Sequence, residues 1–346
     1  MPADESREPR SAMLRHSSDS EPGFSRKRIG RYWAYFDGDK RVTDRATIDR
    51  LNAIALPPAY HDAWFCKDPN GHLQATGIDA RSRKQYRYHP DFRTRQDQSK
   101  FAGLLEFGKC LPKIRRKVDR DLRQRELSRD KVVAAVVRLL DDDYLRVGNR
   151  EYAEKNKSFG ATTLLSRQVH DDGRKVKMRF MGKSKVEHEV TVTDRTLRRV
   201  VRQLQELPGQ ALFQYVNGDA SPHPVSSGDV NDYIREASGG EFTAKHFRTW
   251  GASVLAFEQM MNKADDARIS VTTMIEPVAE ALGNTVAMSR KAYVHPALIA
   301  AVKDQPRDPL GGMERPRSRK WQSACEVGLL RFLAKRPKRR TKTPAA

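Results

Sequence analysis

Residues 281–296 read ALGNTVAMSRKAYVHP: a Leu-Gly-Asn that stops one helix, a short helical run, then Tyr293 presented just before Pro296 restarts helix. Stretches upstream can surround that phenol with cations. They are YLRVGNREY with Arg146, FMGKSKVEHE with Lys183, and TAKHFRTWG with Lys245 and Arg248. A tyrosine hydroxyl, with a reference pKa of about 10, attacks phosphorus near neutral pH only if its developing phenolate is stabilised. Negative charge also builds on the non-bridging oxygens of the attacked phosphodiester. Arg146 and Arg248, on different elements, can clamp those oxygens bidentately without a metal ion. The leaving 5′ oxygen needs a proton. Lys183, in a Gly-Lys-Ser-Lys hairpin turn, is the candidate general acid, because an ammonium crowded by like charge gives up its proton more readily. Lys245 can share that role or hold the phosphate, and Asn284 can donate a neutral hydrogen bond to a non-bridging oxygen.

Composition sets the context. With 346 residues the chain has room for two domains, and 65 Lys plus Arg against 44 Asp plus Glu leave a net charge of +21. Such an excess fits a polyanionic partner, nucleic acid, held by counterion release. Cys66, Cys110 and Cys325 are odd in number, widely spaced and without ligand spacing, so neither a disulfide framework nor a zinc site is expected, and a reducing compartment fits. No apolar run suggests a signal peptide or a membrane span, so a soluble, cytoplasmic protein without cofactor or metal is expected.

Along the chain, residues 1–27 are polar and charged and read as a disordered tail. Residues 28–95 read as a small β-rich domain, with strands at Arg31–Phe36, Trp64–Lys67, His72–Gly77 and Lys84–His89, and a short helix at Thr43–Asn52. Residues 96–310 read as a larger, mainly helical domain. It opens with Ser99–Cys110 and Leu111–Leu127, whose Lys113, Arg115, Arg116, Lys117, Arg120 and Arg123 make it a generic phosphate binder, followed by a helix capped by Ser128 that delivers Arg146. Strands at Leu164–His170, Lys175–Met181 and Val186–Val192 give a three-stranded hairpin sheet with Lys183 at a tip. Helices follow at Thr193–Leu207, Ser227–Ala237, from Thr243 and at Thr272–Leu282; on the third, Lys245 and Arg248 should share one surface. Residues 311–346 form a basic tail ending in KRPKRR, with Val327–Leu333 as a short apolar run able to dock. The fold class is therefore α+β.

The series YLRVGN, GKSK, KHFRTWG, LGNT and SRKAYVHP resembles, in order, the type IB DNA topoisomerases of the compact poxvirus and bacterial kind, whose catalytic core is shared with tyrosine recombinases. The resemblance covers most of the chain. It implies a C-shaped clamp around double-stranded DNA, acting as a monomer in association with the nucleoid. In it, Tyr293 would form a 3′-phosphotyrosyl bond, Arg146 and Arg248 would stabilise the transition state, and Lys183 would be the general acid. Asn284 falls where poxvirus enzymes carry a histidine, which leaves its contribution open. NGHLQATGIDARSRKQYRYHP, with LPPAY before it, resembles the amino-terminal domain of the topoisomerases rather than the helical arm of recombinases. Lys245 in place of the recombinases' usual histidine points the same way. By this resemblance Lys84, Gln85, Tyr86 and Tyr88 contact the duplex, and Tyr152 a backbone phosphate. Taken singly, each motif has a plainer explanation: a packed tyrosine, a solvated turn, a basic helix face. The alternatives are a site-specific tyrosine recombinase and a DNA-binding architectural protein without catalysis.

Overall fold

Alternating side chains from Phe24 onward build a six-stranded antiparallel sheet, the first of two units into which the chain divides between Lys100 and Phe101. The computed structural model describes residues 14–216, 221–264 and 267–335. The strands β1 (Phe24–Ile29), β2 (Tyr32–Asp37), β3 (Lys40–Arg41), β4 (His61–Phe65), β5 (Leu73–Ile78) and β6 (Lys84–Tyr88) run in the order β3-β2-β1-β4-β5-β6. Helix α1 (Arg45–Ala53) starts where the Asp44 side chain accepts from Thr47 N. One sheet face buries Tyr35, Phe65 and Ala75 with Leu51 of α1 and Leu56. The opposite face is fixed by register: Ser25 lies across from Trp64, Trp64 from Thr76, Thr76 from Tyr86.

Residues 17–21 cross that second face. The Ser17 hydroxyl donates to Leu73 O, Trp64 Nε1 donates to Glu21 O at 2.8 Å, and the Asp19 carboxylate pairs with Lys84. This corrects the expected tail over residues 1–27, because β1 begins inside it. Its polar composition hid a strand whose backbone pairs with β2 along its full length, from Phe24 opposite Asp37 to Ile29 opposite Tyr32. Residues 1–13, and the KRPKRR run beyond its first residue Lys335, lie outside the described residues.

Helix α2 (Pro90–Ala102) leads in sequence to the second unit. There α3 (Leu104–Leu122), α4 (Arg129–Asp142), α5 (Arg150–Asn156) and α6 (Arg195–Gln205) flank a three-stranded sheet of β7 (Val169–Asp171), β8 (Val176–Met181) and β9 (Glu187–Val192). The pair β10 (Gln214–Val216) and β11 (Pro222–Pro224) precedes α7 (Ser227–Ser238), α8 (Ala244–Met261), α9 (Val271–Leu282), α10 (Val286–Ala292), α11 (Pro296–Asp304) and α12 (Ala324–Lys335). The apolar faces of α3, α4 and α8 form the centre of one core.

Several boundaries differ from the sequence reading. The helix break falls at Gly103, and α3 runs through Pro112, since Leu104, Phe107, Leu111, Ile114, Val118 and Leu122 bury along one stripe and offset the proline's cost of about 3 kcal/mol. Of the stretch Leu164–His170, only its end is strand. The Gln168 side chain instead accepts from Leu165 N and closes a 3₁₀ turn. The apolar run Val327–Leu333 docks as expected, within α12, whose Leu329 and Phe332 join the core, so the tail does not begin at residue 311. Glu326 of α12 accepts from Arg115 and from Trp250 Nε1, while Arg115 also pairs with Asp141 at 2.6 Å. The basic helix is thus largely self-neutralised. Lys117 and Arg120 share Asp121, Arg123 pairs with Asp119, and only Lys113 and Arg116 of the six stand exposed without a described ion pair.

Candidate active site

Arg248 comes first because its guanidinium ties the other parts together. It sits one turn into α8, 5% exposed, on a helix face packed into the core. Nη1 donates to Tyr144 O and Nη2 to Leu282 O at 3.0 Å. Those carbonyls belong to the loop that carries Arg146 and to the end of α9, two residues before Asn284. A loop and a helix end distant in sequence are therefore pinned to one side chain. Gly251, one turn on, leaves room for the Tyr144 ring, which a Cβ there would meet at 2.1 Å.

The Arg146 loop is held from its other side too. Arg146 O accepts from Ala161 N at 2.8 Å, and Val147 O accepts from Thr162 N at 2.7 Å. Gly148 has φ +101°, which glycine adopts without steric cost, and a Cβ on Gly160 would sit 2.5 Å from Arg146 O. So fixed, Arg146 donates from Nη2 to Asn284 Oδ1 at 2.9 Å. Asn284 is presented by the left-handed turn at Gly283 that ends α9, and its Nδ2 is buried without a hydrogen-bond partner among the described residues. Arg248 Nε is in the same condition. Both are buried donors that lack an acceptor among the described residues.

Tyr293 caps α10, its N–H reaching Ser289 O at 3.1 Å. The residues after it are tied to α8. His295 N donates to Ser253 Oγ at 3.0 Å, the Ser253 hydroxyl donates to Thr249 O at 2.9 Å, and Val294 is fully buried. The phenol is therefore seated on the helix that bears Arg248, whose Cζ lies 5.2 Å from the ring centroid. Burial pushes the Tyr293 hydroxyl up, but the charges of Arg248 and Arg146, with hydrogen bonds from both, outweigh it and leave its pKa below the ordinary phenol value. Arg248 in turn is pushed down to about 10 by burial and by Arg146. Four residues expected to converge, Arg146, Arg248, Asn284 and Tyr293, form one cluster.

Lys183, Lys245 and Tyr152 are not held in it. Lys183 begins a 3₁₀ turn, Lys183–Lys185, and is exposed at the tip of the β8–β9 hairpin. The base of that turn is anchored: Gly182 N donates to Val186 O at 2.7 Å, and the Ser158 hydroxyl donates to Gly182 O at 3.0 Å. Lys245 does not share a surface with Arg248. The turn that buries Arg248 leaves Lys245 in solvent. Tyr152 is 42% exposed on α5. On β6 of the other unit, Tyr86 and Tyr88 are exposed and stacked, with centroids 6.2 Å apart. Gln85 points to the opposite face and donates to Asp79 at 2.9 Å, and Lys84 is taken by Asp19. Sequence reading missed Tyr144 and Ser253, which act through a backbone carbonyl and a buried hydroxyl that leave no mark in residue type.

The family described as the catalytic core of eukaryotic DNA topoisomerase I matches residues 89–305, a span that contains every member of this cluster. The chain belongs to the type IB DNA topoisomerases. The description "bacterial DNA topoisomerase IB, N-terminal domain" matches residues 32–79. DNA topoisomerase 1B of Acanthamoeba polyphaga mimivirus is 31% identical over 272 residues, 75% of this chain and 81% of that protein. DNA topoisomerase 1 of rabbit fibroma virus is 22% identical over 288 residues, 76% and 87% of the two chains. Among solved structures, a XerH site-specific recombinase in a post-cleavage complex covers 54% of this type IB enzyme and 47% of its own chain, with 15% identity and a TM-score of 0.36, a likeness too slight to argue from.

Proposed function

We propose that this type IB topoisomerase relaxes supercoiled double-stranded DNA with Tyr293 as its nucleophile. The phenol gives its proton to solvent, and the phenolate oxygen attacks a phosphodiester, forms a 3′-phosphotyrosyl bond and expels the 5′ oxygen, which takes a proton from Lys183. The free end then rotates about the intact strand. Religation runs the same steps backwards: the 5′ hydroxyl attacks, returns its proton to Lys183 and releases the phenolate. One phosphodiester is exchanged for another of similar energy, so no nucleotide need be spent, and supercoiling strain supplies direction.

The observation that carries this reading is the Tyr293 hydroxyl held below its ordinary pKa by Arg248 and Arg146 in a half-buried pocket. The same guanidiniums, with Asn284 Nδ2 and Arg248 Nε as donors still lacking acceptors, suit the charge that builds on the non-bridging oxygens. Lys183 would enter the site when DNA orders the hairpin tip. Tyr152, Lys245 and the Tyr86–Tyr88 pair would grip the duplex by its backbone and edges. The enzyme would act as a monomer in association with the nucleoid. Among the described residues no helix is long and apolar enough to cross a membrane.

The test is plasmid relaxation in EDTA without nucleotide, on a plasmid lacking any recombination site, with the covalent adduct trapped under denaturing conditions. Relaxation with an adduct is expected. Native protein that binds DNA but forms no adduct would leave an architectural role.

A further inference from the structure

His188, on β9, had no part in the sequence reading, yet it lies where the Lys183 turn meets the turn before Asn284. A Cβ placed on Gly182, the residue before Lys183, would come 2.5 Å from His188 Cδ2, and one on Gly283, the residue before Asn284, would come 2.9 Å from His188 Cε1. The imidazole therefore rests directly on the backbone of both. A Cβ on Gly283 would also meet Val186 Cγ1 at 3.4 Å, so the same hairpin touches that turn twice. The ring stacks on Phe180 of β8, centroids 5.4 Å apart and planes 16° apart, which sets its orientation.

Electrostatics restrict what can stand here. Burial first, then the charges of Arg146 and Arg248, hold the His188 pKa below its ordinary value, so the ring is neutral near pH 7. A flat, uncharged ring fits between two glycines and beside two guanidiniums; a permanent cation would repel both arginines.

We infer that His188 is a positioning residue for proton transfer: by bridging Gly182 and Gly283, it sets the base of the Lys183 turn against the segment that presents Asn284 and Tyr293. The tip of the hairpin stays free to meet DNA, while its root is registered to the phosphate-binding cluster. This deepens the proposed mechanism and rests on Lys183 being the general acid. A root displaced by about 1 Å is enough to cost on the order of 10²-fold in a step that depends on alignment.

The experiment is single-turnover cleavage at saturating enzyme, comparing ordinary duplex with a duplex whose leaving 5′ oxygen is replaced by sulfur, a leaving group that needs no proton. His188→Ala should slow cleavage of the ordinary duplex about 10²-fold and cleave the sulfur substrate within about threefold of the unsubstituted enzyme. His188→Phe, which keeps a flat ring in the gap, should recover most of the loss and guards against a variant that fails to fold. Lys183→Ala is run alongside. If Lys183→Ala is rescued by sulfur and His188→Ala is not, His188 only supports the arginine pocket, and the inference fails while the general-acid reading stands. If neither is rescued, the general-acid reading fails and takes the inference with it. No defect in His188→Ala on the ordinary duplex also overturns the inference.

Discussion

Asn284 has two chemically opposite ends, and a pair of substitutions separates their roles. Oδ1 accepts from Arg146 at 2.9 Å, whereas Nδ2 is a buried donor without a partner among the described residues. If the residue serves the transition state through Nδ2, Asn284→Ala removes one donor from a developing anion, a loss of about 10²- to 10³-fold, or roughly 2.7–4 kcal/mol. Asn284→Asp is nearly isosteric and would strengthen the hydrogen bond with Arg146, but it replaces the donor with a second acceptor and sets a negative charge against the phosphate. Two unit charges about 4 Å apart at an effective dielectric of about 20 repel by about 4 kcal/mol. Even if the neighbouring arginines screen most of that, a further loss of about tenfold or more should remain. The expected order of cleavage rates is Asn, then Ala, then Asp, with DNA binding weakened far less than cleavage. The assay is single-turnover adduct formation resolved on a denaturing gel, with affinity measured separately. An aspartate variant as fast as the alanine one, or faster, would mean that the residue matters only as a rest for Arg146, and the donor argument would be wrong.

Other predictions follow from the same geometry. Tyr293→Phe should bind duplex DNA at close to normal affinity and form no adduct; adduct in that variant would move the nucleophile elsewhere. The single-turnover rate should rise with pH toward the Tyr293 pKa, which Arg248 and Arg146 hold below the ordinary phenol value. Arg248→Gln should carry the rising limb to higher pH, and a pH–rate profile that does not move would count against the coupling. Glu326→Ala leaves Arg115 with one carboxylate instead of two and Trp250 Nε1 without an acceptor, so stability of the second unit should drop by about 3 kcal/mol, read by denaturant unfolding. A shift under about 0.5 kcal/mol would return α12 to the status of a tail.

Much of the candidate site was legible because each motif pairs a chemically specific residue with the local device that presents it. Gly283 ends α9 ahead of Asn284, Pro296 restarts helix after Tyr293, and Gly182 turns the chain before Lys183, all local physics that a reader of sequence can follow. What stayed hidden depends on distant partners. Phe24–Ile29 is a strand because β2 and β4 accept it, not because SRKR favours extension. Arg248 is buried and Lys245 exposed although helical spacing puts them on one side, because depth depends on Tyr144 and Leu282 closing over the guanidinium. The cations of α3 looked available until Asp119, Asp121, Asp141 and Glu326 claimed four of them.

If β6 grips the duplex as proposed, the Asp19–Lys84 pair bears on how tightly it does so. Both partners reach solvent, 44% of the Lys84 side chain and 20% of that of Asp19, so little energy opposes their separation. When a phosphate takes the ammonium, DNA sheds a sodium or potassium ion, but the abandoned carboxylate recruits one. Net ion release from that exchange is close to zero. Lys84 would then swap anions almost indifferently to ionic strength, a handhold that neither locks at low salt nor lets go at high salt while the duplex turns past it.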